Sequence, residues 1–390
     1  MFVRPQRIQN IPPYLFNEIN KKKQSLIEQG VDVIDLGIGC PDLPTPQHII
    51  KRLLEEMADS ENFKYSTYGG CLEFREAVAK FYKERFHVDL DPETEILTLI
   101  GSKEGIAHFI PATIDPGDIV LLPDPGYPTY RTAVHLANGV PYSMPLLQEN
   151  GFRPEFSSIP GHVAEKAKLM FLNYPSNPTA ATADLDFFQE AVEFATRNRM
   201  MIAHDAAYQM VTFDGYKAPS ILQVEGAKEV AVEFGSLSKT YNMMGWRIGY
   251  AVGNKEALTS LSVVKSNIDT SQFLPIQKAG ATALSSDQGC VDTYNEVYRK
   301  RMEGILSALR EIGIEAAAPK GSFFIWAPVP KGYTSVEFST KVLEEAGVIV
   351  TPGIAFGEYG EGYFRISLSV PTERLQEAVQ RIKTRIAIHV

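Results

Sequence analysis

The sequence predicts an α/β protein in which helices cover both faces of a mostly parallel β-sheet, followed by a smaller α+β unit. The first observation is a series of short, nearly continuous apolar runs that alternate with helical segments: 96–100, 119–123, 169–172, 200–203 and 230–234. Such runs are typical of parallel strands that are buried on both faces. The second observation is a change of pattern after about residue 285, where a long polar-faced helix, three short strands and a closing helix are expected at 290–312, 323–326, 348–350, 364–368 and 371–386.

The N-terminal segment is predicted to form an arm, a short helix and a strand. The double proline at 12–13 is expected to start the helix, and the lysines at 21–23 are expected to lie on a solvated face. The segment 31–36 alternates as a short strand does, and it leads into a loop at 37–42 that is marked by two glycines and a proline.

Two further helices are expected before the first apolar run. Pro46 is suited to the start of a helix, with Thr45 as its N-cap, and residues 71–87 form an amphipathic pattern. A chain of 390 residues usually folds as two domains. The predicted division is an N-terminal arm that joins the small domain, a large domain and a small C-terminal domain, at 1–45, 46–285 and 286–390.

Composition excludes several classes of function. Hydrophobic residues make up 44% of the chain and charged residues 22%, which is ordinary for a globular enzyme. A net charge of −9 disfavours nucleic acid and anionic membranes as partners, and no apolar run approaches the roughly 18 residues of a spanning helix. The three cysteines are too far apart for a disulfide framework or a metal knuckle, which favours a reducing cytoplasm.

Chemically active side chains follow the fifth apolar run. A lysine at the end of a buried strand, here Lys239, can form a Schiff base. The hydroxyls of Ser236 and Ser238 and the guanidinium of Arg247 are suited to clamp a phosphate. An amine beside a phosphate site suggests pyridoxal phosphate, although the fragment alone fits a solvated surface lysine equally well.

The other strand ends carry matching groups. The turn with Ser102 and Lys103 opens a helix whose N-terminus can bind phosphate, or can simply be capped. Tyr127, held between prolines, can stack on a planar ring or pack in a surface turn. Asp205 requires a cationic partner such as a pyridinium nitrogen. His204 is expected to be a packed histidine and not a metal ligand.

This set of motifs resembles the class I/II pyridoxal-phosphate aminotransferases of the aspartate-aminotransferase fold type. The motifs are Asn-Pro at 177–178, Asp-x-x-Tyr at 205–208, Ser-x-Ser-Lys at 236–239 and Gly-x-Arg-x-Gly at 245–249. The resemblance extends from about residue 30 to the end. It implies transferase fold type I, with a seven-stranded sheet in a large cofactor-binding domain at 46–285.

The resemblance also implies a role for each site residue. Lys239 corresponds to the Schiff-base lysine and proton carrier, with Arg247 and the cofactor ring expected to depress its pKa. Asp205 corresponds to the partner of the ring nitrogen, Tyr208 and Asn177 to the groups that hydrogen-bond the ring oxygen, and Tyr127 to the stacked aromatic. The implied phosphate cradle consists of Ser102, Lys103, Ser236, Ser238, Arg247 and, from the other subunit of a homodimer, Tyr65. Arg365 and the backbone of Gly39 correspond to the groups that bind the substrate carboxylate, together with Asn177.

The implied reaction is transfer of an amino group between an L-amino acid and a 2-oxo acid by a ping-pong mechanism. Alternatives with the same lysine are a C–S β-lyase and a non-catalytic pyridoxal-phosphate sensor. The loops look most like the branch with alanine, LL-diaminopimelate and methionine-related aminotransferases, and the sequence does not choose among these. Ala180 departs from the glycine usual after Asn-Pro-Thr, at a position where a tight turn is expected.

Overall fold

The computed structural model describes residues 3–9, 11 and 15–386. Within them the strands are β1 Ile34–Asp35, β2 Ile96–Leu99, β3 Ile119–Asp124, β4 Val140–Pro145, β5 Ala167–Asn173, β6 Met201–Asp205, β7 Ala231–Ser236, β8 Gly249–Gly253, β9 Phe324–Pro328, β10 Val348–Ile349, β11 Thr351–Pro352 and β12 Tyr363–Ser367. The α-helices are α1 Gln6–Gln9, α2 Leu15–Glu28, α3 Gln47–Met57, α4 Leu72–Phe86, α5 Ser102–Thr113, α6 Pro128–Leu136, α7 Gly161–Ala164, α8 Leu185–Asn198, α9 Ala227–Val230, α10 Leu237–Thr240, α11 Lys255–Ser266, α12 Leu274–Ser285, α13 Gly289–Glu311, α14 Ser335–Ala346 and α15 Thr372–Arg385.

The central sheet of the described chain has seven strands in the order β2-β8-β7-β6-β5-β3-β4. Strands β3 to β7 pair in parallel, whereas β8 runs antiparallel to both of its neighbours. The five predicted apolar runs become β2, β3, β5, β6 and β7. The predicted α/β class and the mostly parallel seven-stranded sheet are therefore confirmed.

Two apolar cores cover the two faces of this sheet. On one face, α5, α6 and α11 supply buried side chains such as Phe109 and Leu261. On the other face, α4, α8 and α12 supply Phe74 and Phe188. Because both faces are covered, strands such as β2, β5 and β7 bury nearly every side chain, which is why their sequences are continuous apolar runs.

A smaller unit with two short sheets packs beside the central sheet. Strands β11, β12 and β9 form an antiparallel sheet in that order, and β1 pairs in parallel with β10. Its core combines Ile34 and Leu36 with side chains of α13, α14 and α15. The N-terminal strand thus lies with the C-terminal elements, while the division at 45/46 and 285/286 stays a prediction.

Some N-terminal details differ from expectation. Thr45 is not the N-cap of α3: Pro46 occupies that position without a side-chain cap, and Thr45 Oγ1 donates to the carbonyl of Asn242 at 2.8 Å. Two of the lysines at 21–23 form ion pairs instead of facing only solvent, Lys22 with Glu344 and Lys23 with Asp35. The double proline at 12–13 lies outside the described residues. No helix in the described part of the chain is both long and apolar enough to cross a bilayer.

Candidate active site

A cleft of about 430 Å³ opens where the carboxyl ends of the central strands meet the small unit. Every predicted site residue except Tyr65 lines it: Gly39, Ser102, Lys103, Tyr127, Asn177, Asp205, Tyr208, Ser236, Ser238, Lys239, Arg247 and Arg365. The parallel topology explains this convergence, because the loops after β2, β3, β5, β6 and β7 all leave the sheet at one edge.

One end of the cleft is a cradle of donors at the start of α5. Gly101 caps this helix with φ +76°, and a Cβ there would lie 2.2 Å from Arg247 Nη2. Arg247 is itself fixed, since its carbonyl accepts from Gln272 Nε2 at 2.9 Å. Ser238 Oγ is buried and has no hydrogen-bond partner among the described residues. A helix N-terminus, a guanidinium and an unpartnered hydroxyl together suit a phosphate.

The other end of the cleft is formed by Asp205, the last residue of β6. Its Oδ2 accepts from the hydroxyl of Tyr130 at 2.7 Å, and its Oδ1 accepts from the backbone N–H of Ala207 at 3.2 Å. Burial raises the pKa of the Asp205 carboxyl, and the hydrogen bond from Tyr130 opposes this effect. These two hydrogen bonds orient the carboxylate, but they do not offset the whole cost of burying its charge. The carboxylate is therefore suited to pair with a cationic ring nitrogen.

Sequence reasoning missed Tyr130, although it lies only three residues after Tyr127. The two tyrosines flank the first turn of α6 and pack edge to face at 5.6 Å between ring centroids. Asn173 was also missed: its Nδ2 donates to the Asp205 carbonyl and its Oδ1 accepts from the Asn177 N–H, both at 2.7 Å. The i, i+3 spacing of the tyrosines was the available signal.

Two aromatic side chains flank the space between these ends. Tyr127 precedes α6, and burial raises the pKa of its phenol. Tyr208 is buried against the edges of Phe323 and Phe324, at 5.3 and 5.5 Å between centroids. Burial also raises the pKa of Tyr208, so its hydroxyl stays protonated and can donate a hydrogen bond at neutral pH.

Lys239 lines the same cleft, and its Nζ donates to the carbonyl of Gly39 at 2.6 Å. Burial lowers its pKa from 10.5 to about 8, with smaller contributions from Arg365 and Arg247 and an opposing one from Cys40. Arg247 thus lowers the pKa of Lys239 as expected, although loss of hydration has the larger effect. Near neutral pH a useful fraction of Lys239 is a free amine.

Arg365, on β12, is buried rather than on the surface. Its guanidinium carbon lies 4.1 Å from the ring centroid of Phe324 and 4.6 Å from that of Phe356, so the planar group is held between two aromatic faces. Nη1 donates to Asn177 Oδ1, and Nη2 donates to the Gly37 carbonyl at 2.6 Å. This fixed orientation suits bidentate binding of a carboxylate.

Three other residues singled out in the sequence do not line this cleft. His204 bonds the carboxylate of Glu233 at 2.8 Å on the opposite face of the sheet from Asp205, as a packed histidine. Tyr65 is 88% exposed and does not reach the cleft of its own chain. Ala180 has φ +56°, the left-handed conformation in which glycine is ordinarily favoured, so the tight turn is kept despite a side chain.

The cleft therefore fits pyridoxal phosphate on its own geometry. The unpartnered Ser238 hydroxyl and the space that Gly101 leaves beside Arg247 suit the phosphate. The buried Asp205 suits the pyridinium nitrogen, and the Lys239 amine between them suits the aldehyde. Tyr127 and Tyr208 supply a ring face and a phenol donor.

Comparison with known proteins agrees with this geometry. Residues 31–382 match the family described as aminotransferase class I and II. The LL-diaminopimelate aminotransferase of Aquifex aeolicus (strain VF5) is 54% identical over 383 residues, which cover 98% of this chain and 99% of the relative. The one from Moorella thermoacetica is 52% identical over 378 residues, 97% of both. A double-mutant aspartate aminotransferase structure from Thermus thermophilus superposes with a TM-score of 0.91 at 29% identity, covering 98% of this chain and 99% of that one.

The family match covers residues 31–382, and both relatives are more than 50% identical to this chain over nearly all of its length. At a TM-score of 0.91, the solved structure has the same fold as this chain. These matches show that the chain belongs to the class I and II aminotransferases, a family of pyridoxal-phosphate-dependent enzymes.

Proposed function

We propose that this aminotransferase uses LL-diaminopimelate as its amino donor and a 2-oxo acid as its acceptor. The observation that carries the proposal is the 54% identity to the Aquifex aeolicus LL-diaminopimelate aminotransferase, which extends over 98% of this chain. This donor has an amino acid group at each end. Its recognition therefore requires one site at the reacting carbon and another at the far end.

At the reacting end, we assign binding of the α-carboxylate to Arg365, with help from Asn177 and the backbone of Gly39. The support is the buried guanidinium, held between Phe324 and Phe356 with its edge toward the cleft-lining Asn177. The planar guanidinium of an arginine can donate two parallel hydrogen bonds to the two oxygens of a carboxylate, which the ammonium of a lysine cannot. The α-carbon would then lie toward Lys239, whose amine is also in the cleft.

The cofactor end is assigned to the residues named from the sequence. Bound pyridoxal phosphate supplies an aldehyde for the amino group and an electron-withdrawing ring beside the α-carbon. Asp205 would keep the ring nitrogen protonated, with its carboxylate oriented by Tyr130. Tyr127 would cover a ring face, and Tyr208 and Asn177 would donate to the ring oxygen. The phosphate is assigned to Ser102, the backbone N–H of Lys103, Ser236, Ser238 and Arg247.

Lys239 is assigned two roles, attachment of the cofactor and movement of the α-proton. Its pKa near 8 means that the free amine can accept a proton at neutral pH and return it as an ammonium. Its hydrogen bond to the Gly39 carbonyl gives the amine a defined position on the substrate side of the cleft. Ping-pong kinetics follow, because the amino group is held by the enzyme between the two substrates.

For the far end of the donor, we assign the side chain of Lys103. This side chain is exposed, lines the cleft and forms no ion pair with any described residue. The backbone N–H of Lys103 is a separate group: it lies in the first turn of α5, at the phosphate site. An ammonium at the mouth can pair with the second carboxylate of a dicarboxylic donor. A donor with a short apolar side chain, such as alanine, has nothing for it to bind.

A donor screen tests this function. The loaded enzyme is given 2-oxoglutarate with LL-diaminopimelate, its other stereoisomers, L-alanine or L-methionine, and glutamate formation is measured. We expect kcat/KM for LL-diaminopimelate to exceed the others by about tenfold or more. Lys103→Gln should remove most of this preference and leave the alanine rate unchanged. A clear preference for alanine or methionine would contradict the proposed donor.

The same assay separates transamination from β-elimination. A C–S lyase would release pyruvate and ammonia from a sulfur-containing amino acid without any 2-oxo acid acceptor. We expect no turnover without the acceptor, since a transaminase stops after one amino group is transferred.

We further propose that the enzyme is a homodimer in which Tyr65 reaches the phosphate site of the other subunit. Tyr65 is 88% exposed, and Phe63 and Tyr68 beside it are 62% and 52% exposed. Phe63 also stacks on the partly exposed Phe273 at 5.9 Å between centroids. A cluster of exposed aromatic side chains is typical of a surface covered by another protein.

A further inference from the structure

The loop 36–42, which lines the cleft beside Arg365 and Lys239, is fixed through four consecutive carbonyl groups. Those of residues 36, 37, 38 and 39 accept, respectively, from Ser367 N at 2.7 Å, Thr351 Oγ1 at 3.1 Å, Ser369 Oγ at 3.1 Å and Lys239 Nζ at 2.6 Å. The Gly37 carbonyl also accepts from Arg365. All of these donors except Lys239 belong to the small unit. A segment with two glycines is flexible by itself, so its geometry depends on such partners.

The loop ends at Asp42, which forms a bidentate pair with Arg301 of α13. Arg301 Nη1 and Nη2 lie 2.7 and 2.8 Å from the two oxygens of the Asp42 carboxylate. The guanidinium is buried at 4% exposure, so solvent screens this pair little. Two parallel N–H···O bonds fix the orientation as well as the distance of the carboxylate.

The remaining donors of Arg301 bond the chain just beyond Arg365. Nη1 donates to the carbonyl of Leu368 at 3.0 Å, and Nε donates to Thr372 Oγ1 at 3.1 Å. Leu368 is the first residue after β12, the strand that carries Arg365. One guanidinium therefore holds both the end of the 36–42 loop and the end of the strand that presents the carboxylate-binding arginine.

We propose that Arg301 is a positioning residue for substrate binding: through Asp42 and Leu368 it sets the spacing between Arg365 and the loop carbonyls of Gly37 and Gly39. The inference rests on the proposed role of Arg365. Arg301 does not line the cleft, so it acts through other residues. Its effect reaches the site because Gly37 bonds Arg365 and Gly39 bonds Lys239.

A role in stability alone explains the ion pair of Arg301 and Asp42 less well than the proposed positioning role does. Replacing a buried ion pair with packed apolar side chains is often neutral or stabilising, so folding does not require it. What apolar side chains cannot reproduce is the fixed, directional link among three separate segments. Lysine cannot reproduce it either, since it has one nitrogen where arginine uses three here.

The test compares Arg301→Lys with the wild-type enzyme, both loaded with cofactor. Equilibrium binding of the 2-methyl analogue of the amino donor, which has no α-proton, is followed by cofactor absorbance. We expect its Kd to rise about tenfold. The reaction of a simple amine without a carboxylate, followed at the same wavelength, should be unchanged within about twofold, as should cofactor affinity. Arg299→Lys is the matched control, because Arg299 lies on the same helix and pairs with Glu296 and Glu303 of that helix.

Asp42→Asn provides a second variant that keeps the shape of the loop. It should raise the Kd of the analogue as Arg301→Lys does, and the double variant should add little, since both changes break one link. The inference is overturned if folded Arg301→Lys binds the analogue normally, or if the amine rate falls as much as analogue binding. Arg365→Lys separates the proposed role of Arg365 from the positioning role of Arg301. If Arg365→Lys weakens analogue binding and Arg301→Lys does not, only the positioning role fails. If neither variant weakens binding, the proposed function of Arg365 fails as well.

Discussion

At the scale of single residues, the site depends on how burial sets the protonation of its groups. Lys239 and Asp205 are displaced in opposite directions from their ordinary pKa values by the same cause, loss of hydration. For a lysine this favours the neutral amine, and for an aspartate it favours the neutral acid. The amine is useful as it is. The aspartate must stay ionised to bind a pyridinium, and the hydrogen bond from Tyr130 favours this ionised form.

The lowered pKa of Lys239 predicts how the apoenzyme captures its cofactor. Only the free amine attacks an aldehyde, and the ammonium fraction falls as pH rises through about 8. The capture rate should therefore rise about tenfold per pH unit below that value and level off above it. Stopped-flow absorbance over about pH 6 to about pH 10 measures this. A rate that keeps rising towards 10.5 would indicate an ordinary lysine. Lys239→Ala should show no such phase.

Tyr130→Phe should reveal what the missed tyrosine contributes. The change removes a donor to a carboxylate, which costs roughly 1.5–3 kcal/mol, and it raises the pKa of Asp205 further. The low-pH limb of the kcat profile should therefore move to higher pH, with activity recovering as pH rises. Tyr142→Phe is the control, because Tyr142 lies on the edge strand β4 and is not among the residues that line the cleft. An unshifted profile with uniformly lower activity would show that Tyr130 only packs.

Residue-level prediction from sequence was effective at strand ends and weak elsewhere. Side chains that directly follow apolar runs, such as Asp205 and Lys239, must gather at one sheet edge, so the sequence placed them in one cleft. Tyr130 lies inside α6, where a helical aromatic is indistinguishable from a core residue. Arg301 and Asp42 are 259 positions apart, and only the folded chain brings them together.

At the scale of elements, the start of α5 decides how closely Arg247 approaches the cradle. Gly101→Ala would place a methyl group 2.2 Å from Arg247 Nη2, in a backbone conformation with φ +76°. We expect cofactor affinity to fall about tenfold or more, measured by titrating the apoenzyme. Gly117→Ala is a matched control: φ there is +95°, but no atom lies within 4 Å of the added carbon. An alanine there also has a positive φ, which L side chains rarely adopt, and this variant should bind cofactor normally. Equal losses in both variants would contradict the steric explanation.

The elements that sequence reasoning missed are those with weak local signals. Strand β4 contains prolines at both 141 and 145, and it can be a strand because it lies at the edge of the sheet. Strand β8 begins and ends with glycine and runs antiparallel, so it does not resemble the other core strands. The Thr45 cap failed because a tertiary partner, the Asn242 carbonyl, takes the hydroxyl.

At the scale of the whole molecule, the proposed dimer can be tested by mixing two inactive chains. If Tyr65 acts across the interface, a hybrid of Lys239→Ala and Tyr65→Ala subunits has one complete site, in the subunit that keeps Lys239. With random assortment half the dimers are hybrids, so refolding an equal mixture should restore about a quarter of wild-type activity. Activity equal to the average of the two parents, or a fully active monomer in sedimentation, would exclude composite sites.

The connection between β7 and β8 has a consequence for how the chain tolerates change in length. Ser236 and Gly249 are paired in the ladder, so the segment between them is a closed loop that carries both Lys239 and Arg247. The distance between the cofactor-binding amine and the phosphate-binding guanidinium therefore depends on the number of residues in this loop. An inserted residue here would displace one group relative to the other. An insertion at the exposed turn around Gly215, which no atom crowds, would leave that distance unchanged.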